Sequence, residues 1–246
     1  MNHRNHIQAT ENNQGRKEIN MYGFVTGPLA WISFSIFFAG VIVRAVQYIK
    51  GLDWQLDRVA YGEYKMQGFR GAVRSIFLWL VPYGTHSWRY YKFFTLLFFT
   101  FHIGLVITPI FLQAHNILLL ERFGFRLWSM PDAMADFLTI AMLVTAVFII
   151  LRRMALPEVR IITNRYDWLI LAIAVAPFIT GFLAMHHIGN YKFWLILHIL
   201  SGEIMLVAIP FTKLSHFVLY FMSRAQLGMD FAIKRGGMKQ KRGMAW

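Results

Sequence analysis

Five stretches of the chain are apolar and nearly free of charge. Each is long enough to cross about 30 Å of hydrocarbon as a helix, which takes roughly 20 residues. They cover residues 24–49, 93–120, 133–151, 168–186 and 193–221. Asp136 interrupts the third near one end, and Glu203 and Lys213 lie within the fifth, whose inner part therefore does not face lipid freely. Between the first two runs, Phe69, Val73, Ile76, Phe77 and Leu80 recur at helical spacing, with Arg70 and Arg74 off that face. This spacing predicts a short helix in the membrane interface near residues 69–81, although a buried connecting helix would carry the same pattern. No linker rich in Gly or Ser and no internal repeat divides the chain. The expected fold is an all-α integral membrane protein, with five transmembrane helices in an antiparallel bundle plus the interfacial helix. Residues 1–22 form a polar leader, 23–225 the membrane domain and 226–246 a basic tail.

Composition supports this reading. Of 246 residues, 57% are apolar and only 15% charged, a displacement toward lipid relative to soluble domains. The first run is too long for a signal-peptide core and reads as a retained anchor. Lys and Arg exceed Asp and Glu by 25 to 12, and the excess is distributed by loop. With five spans, only Arg4, Arg16, Lys17, Arg122, Arg126 and Lys192 fall on one side, and the other nineteen basic residues fall on the opposite side. The positive-inside rule then puts the N-terminus outside and the C-terminus in the cytoplasm of a prokaryotic inner membrane. Basic residues spread over alternate loops argue against nucleic-acid binding.

There is no cysteine. That excludes thiolate-held iron–sulfur clusters, c-type haem attachment and cysteine zinc sites within this chain. Histidine is the remaining candidate ligand. Of nine histidines, His102 and His115 fall in the second run and His198 and His216 in the fifth, whereas His3 and His6 sit in the leader. Imidazoles buried in a span need partners that lipid does not supply. Antiparallel spans pair His102 with His216 at one depth and His115 with His198 at the other. On continuous helices these separations rise about 20 Å and about 27 Å. His198 and His216 would share a face, five whole turns apart, whereas His102 and His115 would be about 220° apart unless Pro109 rewinds the helix. Two stacked haems fit this layout. Structural histidines bonded to other side chains, or a non-haem metal site, remain alternatives, and His186 or His187 could replace His198 as a ligand.

Phe101-His102-Ile103-Gly104, Leu197-His198 and Ile209-Pro210-Phe211-Thr212-Lys213-Leu214-Ser215-His216 resemble the membrane gamma subunit of respiratory nitrate reductases. So does the link Arg152-Arg153 … Pro157-Glu158-Val159-Arg160 … Thr163. The similarity covers most of residues 20–225. The spacing Pro109-Ile110-Phe111-Leu112 … His115 is closer to diheme cytochrome b subunits of sulfate reducers' transmembrane redox complexes, of the sulfite-reductase-associated, high-molecular-weight cytochrome and tetrahaem cytochrome types. The resemblance implies five spans and two b haems, the inner one on His102 and His216 and the outer one on His115 and His198. It also implies electron exchange with membrane quinone or quinol. The nitrate reductase family has a lysine near its quinol site after the second span. Residues 116–140 here contain none, and Glu121, Arg122, Arg126, Asp132 and Asp136 occupy that region.

Among the remaining polar residues, Glu203 lies about 7 Å of helix rise from His198 and either handles quinol protons or is a neutral, hydrogen-bonded carboxyl. Glu121, Asp132 and Asp136 are candidate proton acceptors or plain loop charges. Arg122, Arg126 and Lys192 on one side, and Arg152, Arg153 and Lys213 on the other, lie at levels suited to haem propionates. The expected function is that of a diheme b-type cytochrome subunit, not a complete enzyme alone. Its expected partners are a cytoplasmic Fe–S subunit and an extracytoplasmic multihaem cytochrome c. The rival readings are a cofactor-free membrane anchor and a transporter, the latter disfavoured by the absence of repeat halves.

Overall fold

A computed structural model describes residues 21–52 and 64–233. Residues 1–20 of the expected leader, with His3 and His6, and the tail beyond residue 233 lie outside the described residues, and the leader's last two residues, Met21 and Tyr22, open the first helix. The described chain is helical, with no strand among those residues. Five helices are long and apolar enough to cross a membrane: α1 (Met21–Lys50), α4 (Lys92–Phe111), α6 (Asp132–Ala155), α8 (Arg165–Met185) and α9 (Tyr191–Phe211). Shorter helices connect or follow them: α2 (Lys65–Leu80), α3 (His86–Tyr90), α5 (Gln113–Phe123), α7 (Pro157–Ile161) and α10 (His216–Phe231).

Two of the expected spans end early. The run 93–120 is not one helix, because α4 stops at Phe111 and Leu112 takes an extended backbone (φ −65°, ψ 133°) before α5 begins. Pro109 lies within the last turn of α4, where it removes a backbone donor. The carbonyls exposed by this break are all re-used. Leu112 N donates to Thr108 O (2.9 Å) and Met130 N to Phe111 O (2.9 Å), the His115 imidazole to Pro109 O (2.8 Å), and Asn116 Nδ2 to Ile110 O (3.4 Å). The run 193–221 breaks likewise. Pro210 lies near the end of α9, Thr212 is extended (φ −123°, ψ −175°), and a single 3-10 turn, Lys213–Ser215, leads into α10. The Thr212 hydroxyl donates to Ala208 O (2.7 Å) and accepts from Leu214 N (3.2 Å), serving both sides of the gap. Face-sharing computed along continuous helices therefore does not apply to either histidine pair.

The chain forms two compact units. One comprises Met1–Val41 and Leu169–Leu214, the other Ile42–Trp168 and Ser215–Trp246. In the first, the start of α1 contains a π turn at Val25–Leu29 that packs on α9, and a Cβ on Gly40 would collide with Pro210 (2.6 Å).

In the second unit α2 packs against α10. The face it uses is not the apolar one, which stays open: Phe69 and Phe77 are 66% and 62% exposed, whereas Gly68 and Ser75 are buried. Small residues let the two backbones meet, Gly71 against Gly228 and Ala232, and Gly68 against Met229 and Ile233. The Tyr220 hydroxyl donates to Ile76 O (3.2 Å) and the Tyr48 hydroxyl to Gln226 Oε1 (2.6 Å). α10 runs past residue 225 to Phe231. Elsewhere in this unit α4 lies on α6, where a Cβ on Gly104 would sit 2.6 Å from Met142 Cβ and 2.9 Å from Leu138 O.

A Gly104→Ala variant is therefore expected to lose about 1–3 kcal/mol through overpacking. Thermal unfolding in detergent measures this, and an unchanged transition would show that α4 and α6 can separate freely.

Candidate functional site

His102 projects from the middle of α4 and His216 is the first residue of α10. Both belong to the second unit. Their ring centres are 6.2 Å apart with the planes at 80°. Two imidazoles that ligate one metal ion from opposite sides, each through a bond of about 2 Å, have ring centres about 6 Å apart. The His102 Nδ1 lies 2.8 Å from Phe98 O, one turn back. A carbonyl only accepts, so the proton sits on Nδ1 and the lone pair on Nε2. This is the arrangement in which histidine ligates metal with its orientation fixed from behind.

An aromatic cluster surrounds this histidine. Phe98 stacks on it at 4.1 Å and Phe101 meets it edge-on at 5.4 Å. Trp88 stacks on Phe98 (4.9 Å) and contacts Trp79 (5.6 Å), and the Arg224 guanidinium lies over Trp79 at 4.5 Å. Burial pushes the Tyr220 phenol above its usual value and Arg224 partly offsets this, so the hydroxyl remains a donor to Ile76 O.

His115, in α5, has its Nδ1 on Pro109 O, across the break in the helix. His198, in α9, has its Nδ1 on Pro177 O at 2.8 Å. Three of the four candidate ligands thus share one tautomer and one kind of backbone partner. Around His198 the first unit supplies a polar bridge. The Thr180 hydroxyl meets Ser201 Oγ (3.2 Å), Ser201 Oγ donates to His198 O (2.9 Å), and Thr180 also donates to Pro177 O (3.2 Å). Gly181 makes room for the ring, since a Cβ there would be 2.8 Å from His198 Nδ1 and Cε1. Gly202, one turn on from His198, faces open space, with nothing within 4 Å of an added Cβ.

His186 and His187 are exposed at the α8–α9 turn, their rings tilted against Phe182 (4.3 Å) and Tyr191 (4.7 Å), and His187 takes the left-handed backbone (φ 50°).

The carboxylates separate by burial. Glu121 and Asp132 are exposed and Asp136 is half-buried. Asp132 is in the first turn of α6, where a negative charge suits the helix dipole. Glu203 is 7% exposed, and neither of its oxygens has a hydrogen-bond partner. An ionised carboxylate so placed is strongly disfavoured, and its hydrogen-bonding capacity is unused by the chain. Of the basic residues considered for propionates, Arg122, Arg126, Lys192 and Lys213 are exposed, Arg152 lies over Phe94 (4.2 Å), and Arg153 is half-buried.

Two more enclosed polar atoms, Trp88 Nε1 and Thr108 Oγ1, have no partner. Among the described residues, no three His, Asp or Glu side chains converge as a metal site. A haem brings four nitrogens of its own and asks the protein for two axial ligands. The ring separation at His102 and His216 and the tautomer of His102 fit that requirement.

Over 226 residues the chain is 56% identical to a protein of Nitratidesulfovibrio vulgaris (strain Hildenborough) described only as "Protein", an alignment that covers 92% of this chain and 100% of the relative. The chain belongs to that protein's family. No family model and no solved structure matches it.

The sequence pattern did not reveal Asn116, which is 1% exposed. Its amide joins three segments, donating to Ile110 O (3.4 Å) and Trp128 O (3.3 Å) and accepting from Leu127 N (3.2 Å). Asn116→Ala should destabilise the protein by about 1–3 kcal/mol, because it strands buried backbone groups beside His115. Chemical denaturation in detergent would register the loss, and an Asn116→Ala protein as stable as wild type would mean that water replaces the amide.

Proposed function

We propose that this chain is a b-type cytochrome subunit of a prokaryotic inner-membrane redox complex, moving electrons between quinone or quinol and partner subunits. The observation that carries the reading is the His102–His216 pair, 6.2 Å apart with rings near perpendicular and with His102 Nδ1 fixed on a backbone carbonyl. Haem, when bound, supplies the one-electron chemistry. The protein's part is to offer the two imidazoles, hold the plane of His102 through the Phe98 carbonyl and surround that histidine with aromatic side chains that exclude water. A second haem rests on the sequence pattern, with His115 and His198 as its ligands. Glu203, enclosed and unpartnered, handles the proton that accompanies quinol oxidation or quinone reduction, while Glu121, Asp132 and Asp136 are solvent-side charges.

With no cysteine, the chain holds no thiolate cluster of its own. It therefore works with a cytoplasmic Fe–S subunit on its more basic side, C-terminus inward, and with a multihaem cytochrome c outside. The sequence resemblance supports these partners, as does the need for centres that this chain lacks the ligands to build.

A pyridine haemochrome assay on the detergent-purified protein tests the reading. About two b haems per chain are expected, falling to about one in His102→Ala and in His216→Ala. Colourless protein from haem-replete cells would overturn the cytochrome and leave a cofactor-free anchor. Gly181→Ala should disturb the other haem, the one that survives His102→Ala, because its Cβ displaces the His198 ring. A shifted or lost Soret band from that haem alone is the expected result, and an unaltered spectrum would remove His198 from the ligand set.

A further inference from the structure

The indole nitrogen of Trp88 is enclosed and has no hydrogen-bond acceptor. Tryptophan N–H is a donor only, and when buried it ordinarily finds a partner. Here the rest of the residue is well held. Its backbone N–H donates to Thr85 Oγ1 (3.3 Å), its carbonyl accepts from Thr95 Oγ1 (2.8 Å), and its ring packs against Trp79, Phe98 and Phe99. Thr85 and Thr95 are 1% and 0% exposed, so the segment is fixed at both ends. A ring so constrained with an unused donor points to an acceptor that the chain does not itself contribute.

The ring's position narrows the acceptor's identity. Trp88 stacks on Phe98, and Phe98 stacks on His102. On its other side Trp79 carries the Arg224 guanidinium. Two turns of α10 separate Arg224 from His216, and residues at i, i+4 and i+8 share a helix face. The cluster therefore extends from the histidine pair to a cation, with the unused donor between them. A haem held by His102 and His216 carries carboxylates at its ring edge, several bond lengths from the iron. Those anions need hydrogen-bond donors and positive charge in a medium that excludes water.

We propose that Trp88 Nε1–H is a hydrogen-bond donor to a propionate of the haem on His102 and His216, with Arg224 supplying the compensating charge. The proposal rests on the reading that this pair holds a haem. The effect is electrostatic. A donated hydrogen bond offsets the propionate's negative charge, which otherwise favours the oxidised, more positive iron. Trp88 acts on the potential without touching the iron, so it is a positioning residue.

The test is a redox titration of the full-length, haem-loaded protein as wild type, Trp88→Phe and Arg224→Gln, with the haem-to-protein ratio measured on each. Trp88→Phe keeps the aromatic packing and removes the donor. The expected result, in the protein that retains haem, is a lower midpoint for the haem that His102→Ala removes. The expected shift corresponds to about a three- to tenfold drop in its reduced-to-oxidised ratio at fixed poise, tenfold being about 59 mV for a one-electron couple. Arg224→Gln should move the same midpoint in the same direction. Resonance Raman of the wild type supplies a readout that needs no variant: the propionate bending band should shift in deuterated water. Unmoved midpoints in both variants, or a band insensitive to deuterium, would overturn the proposal. An anion from a lipid headgroup at Trp88 would give that same null result. Wild-type protein without haem would overturn the parent reading instead, so the two failures are distinguishable.

Discussion

A backbone carbonyl that loses its helical partner in a water-poor setting must be given another, and the local structure around the histidines follows from that demand. At the end of α4 the break at Leu112 exposes a full turn of acceptors, and the His115 imidazole takes one of them. A single hydrogen bond thus closes the helix end and fixes the tautomer of a candidate ligand. His198 is also anchored to a carbonyl, that of Pro177, although this one lies inside a continuous helix, α8. At His115 the orientation of the ring is a by-product of backbone satisfaction, and disturbing either should disturb both.

The spans were legible in the sequence because a run of about 20 apolar residues has few alternatives in lipid. The places where the runs break were not. Leu112 and Thr212 are ordinary residues, and the signals, Pro109 and Pro210, precede them by two or three positions. Angular counting along residues 93–120 and 193–221 failed for that reason, while depth counting still brought His102 together with His216. The face that α2 turns to α10 was hidden on a different ground. Periodicity marks where large apolar residues lie, but in a helix pair of this kind the close contact belongs to Gly68, Gly71 and Ser75. An outward row that includes Phe69 and Phe77 is then what a lipid-facing helix requires.

Of the candidate site, the histidines were legible and their supports were not. A backbone carbonyl has no side-chain signature, so the partners of His102, His115 and His198 leave no trace in the residue string. Gly181 and Gly202 act through the side chains they lack, one admitting the His198 ring and the other leaving a face open. Trp88 and Asn116 belong to short connecting segments, where periodicity carries no information. Glu203 was visible as an anomaly, and burial without a partner sharpens it.

The meeting of α2 and α10 through Gly71 and Gly228 has a mechanical side. A contact made by backbone has no rotamers to rearrange, so it transmits displacement instead of absorbing it. His216 opens α10, and Tyr220, one turn on, is tied to the carbonyl of Ile76. The two helices therefore behave as one stiff lever with an imidazole at its end. Stress applied along α2 reaches that imidazole as rigid-body motion, with little slack between.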